Sequence, residues 1–154
     1  MVACMFSLAF HAVLRVGEFV PQSRKQTQRV LALSDVSVTK DKTGRKELLV
    51  SLRKFKHSGK QGPQSIRVGA QGVSKHCPVQ LMLKYLRMRG KTPGPLFLLQ
   101  DGSQCTANRF RAFLKEVLEF CSLNPCFYKG HSFRIGAATE AAARGCSDTQ
   151  IRIM

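Results

Sequence analysis

The sequence predicts an α+β domain that is mainly helical and contains one small three-stranded antiparallel sheet. Two observations support this. Three short, turn-bounded segments of strand-like pattern lie within residues 30–68, and stretches with the helical spacing of apolar residues lie on both sides of them. With 154 residues the chain has the length of one domain, 1–154, and can bury a core.

The predicted strands follow one another closely. Val30–Val38 alternates apolar and polar residues, Lys40–Lys46 has the composition of a turn, and Glu47–Phe55 resumes as a second strand. After a Gly- and Pro-containing break, Gln64–Val68 is the third strand. Short basic loops between neighbouring strands favour antiparallel pairing.

Four longer helices are predicted from apolar spacing and from Pro and Gly at their ends: Met1–Val16, Pro78–Arg89, Thr106–Cys121 and Ser132–Arg144. A last turn begins at Ser147, and Leu96–Leu99 is too short to assign. The apolar opening has fourteen residues before its first charge, but it lacks a basic leader and is too short to span a bilayer. We therefore expect a buried helix there and no membrane partner.

The most informative compositional feature is charge. Lys and Arg number 25 against nine Asp and Glu, so the net charge is +16 and the pI is about 10.3. The stretch from Arg24 to Arg67 holds twelve basic and three acidic residues, a net +9. Such clustering favours a polyanion as partner, with affinity that falls steeply as salt rises. A generically basic protein is the alternative.

Six cysteines have irregular spacings, which favours reduced thiols in an intracellular compartment over a disulfide framework: Cys4, Cys77, Cys105, Cys121, Cys126 and Cys146. A zinc site at Cys121, Cys126 and His131 would lack a paired C-x-x-C and a fourth ligand. We expect no metal, no cofactor and no small-molecule substrate.

The sequence "GHSFRIGAAT" places His131 and Arg134 three residues apart at the start of a predicted helix, hence on one face. A helix N-terminus favours an anion, and an arginine there adds a planar fork for two phosphate oxygens. The pair is typical of a phosphate clamp. The alternative is a capping histidine with a surface arginine.

Other cations accompany this pair. "LRVGEF" places Arg15 within an apolar run with Glu18 three residues on, and a buried arginine needs a partner or an anionic ligand. "RKFKHSGK" places several lysines at a strand end and in the following loop, where solvated charge is the alternative. Candidate DNA-binding residues outside the clamp are Arg53, Lys54, Lys60, Arg109 and Arg111.

The chain contains "LRVGE", then a hairpin lysine, and then "HSFR" before a small-residue helix. With its motifs in this order, it resembles the tyrosine recombinase (phage-integrase-like) family. "CPVQLMLKYLRMRG" and "GHSFRIGAATEAAARGCSD" are similar to the recombinases of DIRS-like and Crypton-like mobile elements of eukaryotes. The resemblance implies that Arg15 and Arg134 stabilise a pentacoordinate phosphate, with Glu18 beside Arg15. It also implies that Lys56, with Lys54 and Lys60 as rivals, protonates the leaving 5′ oxygen and that His131 assists proton transfer.

The resemblance further implies DNA recombination and integration through a 3′-phosphotyrosyl intermediate, double-stranded DNA as partner, self-association on DNA, and a nuclear or otherwise intracellular location. The family's nucleophilic tyrosine follows the H-x-x-R helix, whereas Tyr85 and Tyr128 precede it. We therefore expect a partial catalytic domain, truncated at both ends, that does not cleave DNA by itself. The alternatives are a repurposed, non-catalytic DNA-binding protein derived from a mobile-element recombinase and, less favoured, an RNA-binding domain.

Overall fold

The structure, a computed structural model, describes residues 1–23, 30–52, 64–72 and 74–152. Within these ranges helices and strands follow in the order α1 (Val2–His11), α2 (Val16–Phe19), β1 (Val36–Lys40), β2 (Lys46–Leu52), β3 (Gln64–Gly69), α3 (Pro78–Arg89), α4 (Ala107–Phe120), α5 (Ser132–Ala143) and α6 (Asp148–Arg152). The predicted α+β class, with one three-stranded antiparallel sheet, is confirmed.

In the sheet β2 is the central strand and pairs antiparallel with both neighbours, with Val36 opposite Val50 and Leu48 opposite Val68. These four side chains are buried. Alternating residues of a strand face opposite sides of its sheet, so the apolar positions of β2 face the helices and anchor the sheet to the core.

The prediction that the first strand begins at Val30 is wrong, because regular pairing with β2 starts only at Val36. Before it, Leu33–Asp35 forms a 3₁₀ turn, and Asp35 Oδ2 accepts a hydrogen bond of 2.8 Å from the Ala32 amide. A carboxylate that bonds to backbone three residues earlier stabilises a helical turn at the expense of extended chain.

The prediction of a helix to about Val16 is also wrong, since α1 ends at His11. The Leu14 amide donates to Ala9 O at 3.1 Å and the Val13 amide to Phe10 O at 3.2 Å. Together these bonds form a Schellman motif, whose penultimate residue adopts the left-handed conformation, here Val13 with φ of +53°. The side chains of Val13 and Leu14 are buried although these residues are not helical. The apolar pattern alone therefore predicted a helix that is too long.

The core lies between the helices and the inner face of the sheet. Helix α1 packs on α3 and α5, and Phe19 stacks edge-to-face on Phe97 and Phe110 with centroids 6.0 and 5.4 Å apart. The predicted α3 bounds match the structure, whereas the predicted α4 is one residue too long at each end and the predicted α5 one residue too long at its C-terminal end. Leu96–Leu99, left unassigned, takes part in an isolated bridge from Leu98 to Gln104.

Three cysteines are buried and three are exposed, all as free thiols among the described residues. Burial raises the pKa of Cys4 to about 12 and that of Cys105 to about 11, so both are protonated at neutral pH. In the described ranges we find no group of three metal-ligating side chains. None of the helices described here has the length and apolar character needed to cross a membrane.

Candidate phosphate-binding site

A cleft of about 320 Å³, here called the basic cleft, opens where α2, α4 and the start of α5 meet. Every charged residue that lines it is a cation. Its lining residues are Leu14, Arg15, Val16, Arg111, Lys129, Gly130, His131 and Arg134. The fold thus brings Arg15, from the beginning of the chain, to the side of the His131–Arg134 pair.

Arg15 is placed by the end of the Schellman turn. It is not at the end of an apolar helix, as the sequence indicated, but is the extended N-cap of α2, with φ of −76° and ψ of 145°. Glu18 Oε2 accepts from the Arg15 amide at 2.7 Å, and Glu18 Oε1 lies 3.5 Å from Arg15 Nη1. The carboxylate fixes the backbone and one edge of a guanidinium that has five N–H donors. The N–H donors of the guanidinium that Glu18 does not engage can therefore face an anion in the cleft.

Arg134 is held from the other side of the cleft. Its Nη1 donates to Val13 O at 3.2 Å, so the first turn of α5 is tied to the turn that precedes Arg15. Arg134 as a whole is half-buried. This bond gives the Val13 carbonyl a partner outside α1 and fixes the distance between the two arginine-bearing segments. Arg134 is therefore not an unconstrained surface arginine.

His131 is the N-cap residue of α5, yet its side chain makes no capping hydrogen bond. The alternative of a histidine ring that caps the helix is therefore not what the structure has. The imidazole is exposed and lines the basic cleft. Because a neutral imidazole has one donor and one acceptor nitrogen, it can pass a proton to or from a group bound there.

Gly130 allows this loop to approach α2. A Cβ at this position would lie 2.3 Å from Val16 Cγ2 and 3.8 Å from Phe110 Cε1. No real Cβ atom tolerates the first distance, so residue 130 has to be glycine unless Val16 moves. The glycine of "GHSFR" therefore sets how near His131 comes to Arg15, a role that the sequence alone did not reveal.

The cleft contains two further cations. Arg111, predicted as a DNA-binding residue, lies in the basic cleft and donates from Nη1 to Asn108 Oδ1 at 2.7 Å. Sequence reasoning missed Lys129, although its place directly before "GHSFR" could have indicated it. Arg109 is not part of the cleft lining, and its guanidinium stacks 4.5 Å from the centre of the Phe113 ring.

The hairpin candidates Arg53, Lys54, Lys56 and Lys60 lie outside the described residues. The two tyrosines differ in setting. Tyr85 is only 4% exposed; its hydroxyl donates to Leu96 O at 3.0 Å and accepts from the Leu98 amide at 2.9 Å, and burial raises its pKa. Tyr128 is exposed, three residues before His131, and does not line the basic cleft. Tyr85 is thus a structural residue.

The electrostatics of the basic cleft favour an anion. Among the described residues three arginines and one lysine line it, and Glu18 forms an ion pair with one of them, Arg15. Like charges gathered in one concave site repel each other unless an anion lies between them. Guanidinium groups match the geometry of phosphate oxygens, whereas an apolar or cationic ligand would leave this repulsion uncompensated.

No protein-family model matches the chain, and no curated protein matches it in sequence. Among solved structures it is similar to the integrase of transposon Tn1549 in complex with circular intermediate DNA, with TM-score 0.53 and 16% identity. Two complexes of a variant of that integrase match with TM-scores of 0.57 and 0.56 at 12% and 13% identity.

Each match covers 97% of this chain, which spans about half the length of those integrases, 47–48%. At such low identity the likeness concerns the fold. The three-stranded antiparallel sheet with helices on both sides of it along the chain agrees with the α+β class that the sequence pattern predicted. The chain therefore has the same fold as the matched part of the Tn1549 integrase.

Proposed function

We propose that the chain binds double-stranded DNA through the sugar–phosphate backbone, as the phosphate-binding part of a tyrosine recombinase catalytic domain. The observation that carries this proposal is the convergence of Arg15, His131 and Arg134 on one cleft, whose lining among the described residues contains no acidic side chain. The net charge of +16 supports a polyanion as ligand. The integrases of similar fold were solved in complex with DNA, which supports the same class of ligand.

In the reaction we propose for the complete active site, a tyrosine oxygen attacks a DNA phosphorus and the 5′ oxygen leaves, giving a 3′-phosphotyrosyl link. Arg15 and Arg134 stabilise the charge on the non-bridging oxygens as the phosphorus becomes pentacoordinate. His131 assists proton transfer, and Lys56 supplies the proton that the 5′ oxygen needs in order to leave. Glu18 keeps the Arg15 guanidinium directed at the phosphate.

We propose that the chain by itself binds DNA without cutting it. Tyr85 is buried with both hydrogen-bonding capacities of its hydroxyl in use, and Tyr128 does not line the basic cleft. The same observation favours a second candidate function, that of a non-catalytic DNA-binding protein derived from a mobile-element recombinase. We also propose that the chain is related to the recombinases of DIRS-like and Crypton-like elements, that it is located in the nucleus, and that it self-associates on DNA.

Binding can be tested by fluorescence anisotropy of a labelled duplex and by competition with orthovanadate, a mimic of phosphate. We expect Arg15→Ala and Arg134→Ala each to weaken both interactions about tenfold, as the loss of one charge-assisted contact should. Lys42→Ala is the matched control, because Lys42 is an exposed cation in the β1–β2 turn, away from the cleft. Equal effects of all three variants would show general attraction without a phosphate site.

Cleavage can be tested with a nicked suicide duplex, in which the departing strand diffuses away and traps any covalent product. We expect no covalent protein–DNA adduct from this chain. An adduct would overturn the expectation that the chain lacks a nucleophile, and its loss in Tyr128→Phe would then identify Tyr128 as that nucleophile.

A further inference from the structure

We propose that the basic cleft holds two consecutive phosphates of one DNA strand. Arg15 and Arg134, the inner pair, hold one phosphate, and Arg111 and Lys129, the outer pair, hold its neighbour. This inference rests on the proposed function, because it assumes that the anion in the cleft is a nucleic-acid backbone. It assigns to Arg111 and Lys129 a positioning role that the sequence motif of the clamp does not contain.

The two pairs are supplied by different segments of the fold. Arg111 is supplied by α4 and Lys129 by the loop that leads into α5, and both line the basic cleft. The inner pair is organised elsewhere, because Arg134 bonds to Val13 O two residues before Arg15.

The charge of the cleft exceeds what one phosphodiester neutralises. The four cations carry +4, and Glu18, bound to Arg15, returns −1, so about three positive charges remain before any contribution from His131. One phosphodiester supplies −1. Phosphates follow at roughly 3.4 Å of helix axis along a strand, so a second phosphate lies close enough to meet a second set of cations.

The outer pair is also available for a ligand. Among the described residues neither Arg111 nor Lys129 forms an ion pair with a carboxylate, and both are exposed. Arg111 is steadied by Asn108 at 2.7 Å, a neutral partner that leaves its charge in place. On the same helix Lys115 differs, since its Nζ lies 3.7 Å from Glu119 Oε1. Lys115 is therefore a matched control for general charge.

The test compares thymidine oligonucleotides with one and two phosphodiesters, TpT and TpTpT, by NMR titration of the full chain at low salt. If two phosphates bind at once, TpTpT should bind about tenfold more tightly than TpT, which exceeds the statistical factor of two from its two linkages. Arg111→Gln and Lys129→Gln should remove most of this gain, because they should weaken TpTpT binding by a larger factor than TpT binding. Lys115→Gln should preserve both values.

The remaining outcomes distinguish this inference from the proposed function. A TpTpT gain of no more than twofold, or equal losses for TpT and TpTpT in the outer-pair variants, would overturn the second phosphate position while leaving a single-phosphate site intact. TpT binding that does not respond to Arg15→Ala would instead overturn the proposed function. Arg111→Lys and Lys129→Arg, which keep the charge, should retain the gain and show that the loss is not caused by misfolding.

Discussion

Arg134 Nη1 donates a hydrogen bond of 3.2 Å to the carbonyl oxygen of Val13, and this bond joins the two segments that supply the arginines of the basic cleft. Val13 ends the Schellman turn after α1, and Arg15 begins α2 two residues later. The bond thus fixes Arg134 relative to the backbone segment that positions Arg15. The two guanidinium groups are held by the fold before any anion arrives, which lowers the cost of ordering them on binding.

We first predict that the two arginines differ in their effect on stability. Arg134→Ala should lower the free energy of unfolding by about 1 kcal/mol, because the partly buried Val13 carbonyl loses this hydrogen-bond donor. Arg15→Ala should change it by less than about 0.5 kcal/mol, because its pair with Glu18 is partly exposed. Urea unfolding followed by circular dichroism measures both; equal losses would mean that the bond to Val13 contributes nothing.

Second, position 13 should prefer glycine to alanine. Val13 has φ of +53°, a conformation that costs an L-residue about 1 kcal/mol relative to glycine. Val13→Gly and Val13→Ala both remove buried methyl groups, so their comparison isolates the backbone. We expect Val13→Gly to be the more stable of the two in urea unfolding, opposite to the order inside a helix. An alanine variant as stable as the glycine variant would argue against the left-handed turn.

Third, Gly130→Ala should destabilise the protein by about 1–3 kcal/mol and weaken duplex binding, because the new Cβ would lie 2.3 Å from Val16 Cγ2. The double variant Gly130→Ala/Val16→Ala should recover much of the loss, since the clashing methyl is gone. Gly69→Ala serves as control, because nothing lies within 4 Å of its Cβ. Thermal unfolding and anisotropy provide the measurements, and a failure of the rescue would place the strain elsewhere.

Fourth, Tyr85→Phe should lower the free energy of unfolding by about 1–3 kcal/mol and leave DNA affinity unchanged. The Tyr85 hydroxyl joins Leu96 O and the Leu98 amide. Its loss leaves the Leu98 amide without this acceptor, whereas Leu96 O keeps the bond from Arg89 Nε at 3.1 Å. Chemical unfolding and duplex anisotropy test the two parts separately. A change in DNA affinity at unchanged stability would contradict the structural role of this tyrosine.

The sequence pattern correctly predicted the elements in which apolar residues recur at helical spacing over several turns and in which Pro or Gly marks the ends. Helix α3 begins with Pro78 and ends before Gly90, and its bounds were predicted to the residue. The errors fall where local hydrogen bonds override the pattern. Asp35 turns the chain before β1, and the Schellman bonds end α1 while Val13 and Leu14 stay buried. Apolar residues report burial in both cases, not the backbone conformation.

The candidate site was predictable in part. The spacing of His131 and Arg134 on one helical turn could be predicted from sequence, because it depends only on helix geometry. Lys129 was missed, since a loop lysine has no periodic pattern that distinguishes it from solvated charge. Arg111 was recognised as a candidate for DNA binding, but its place beside the clamp was not.

The sequence by itself determined the α+β class, the basic character and the presence of arginine and histidine motifs, because composition and local periodicity act over a few residues. Only the tertiary structure decided that Arg15 and Arg134 share one cleft. That meeting depends on contacts between distant segments, namely the bond from Arg134 to Val13 O and the approach of Gly130 to Val16. Such contacts form only when the core packs, so no local pattern in the chain records them.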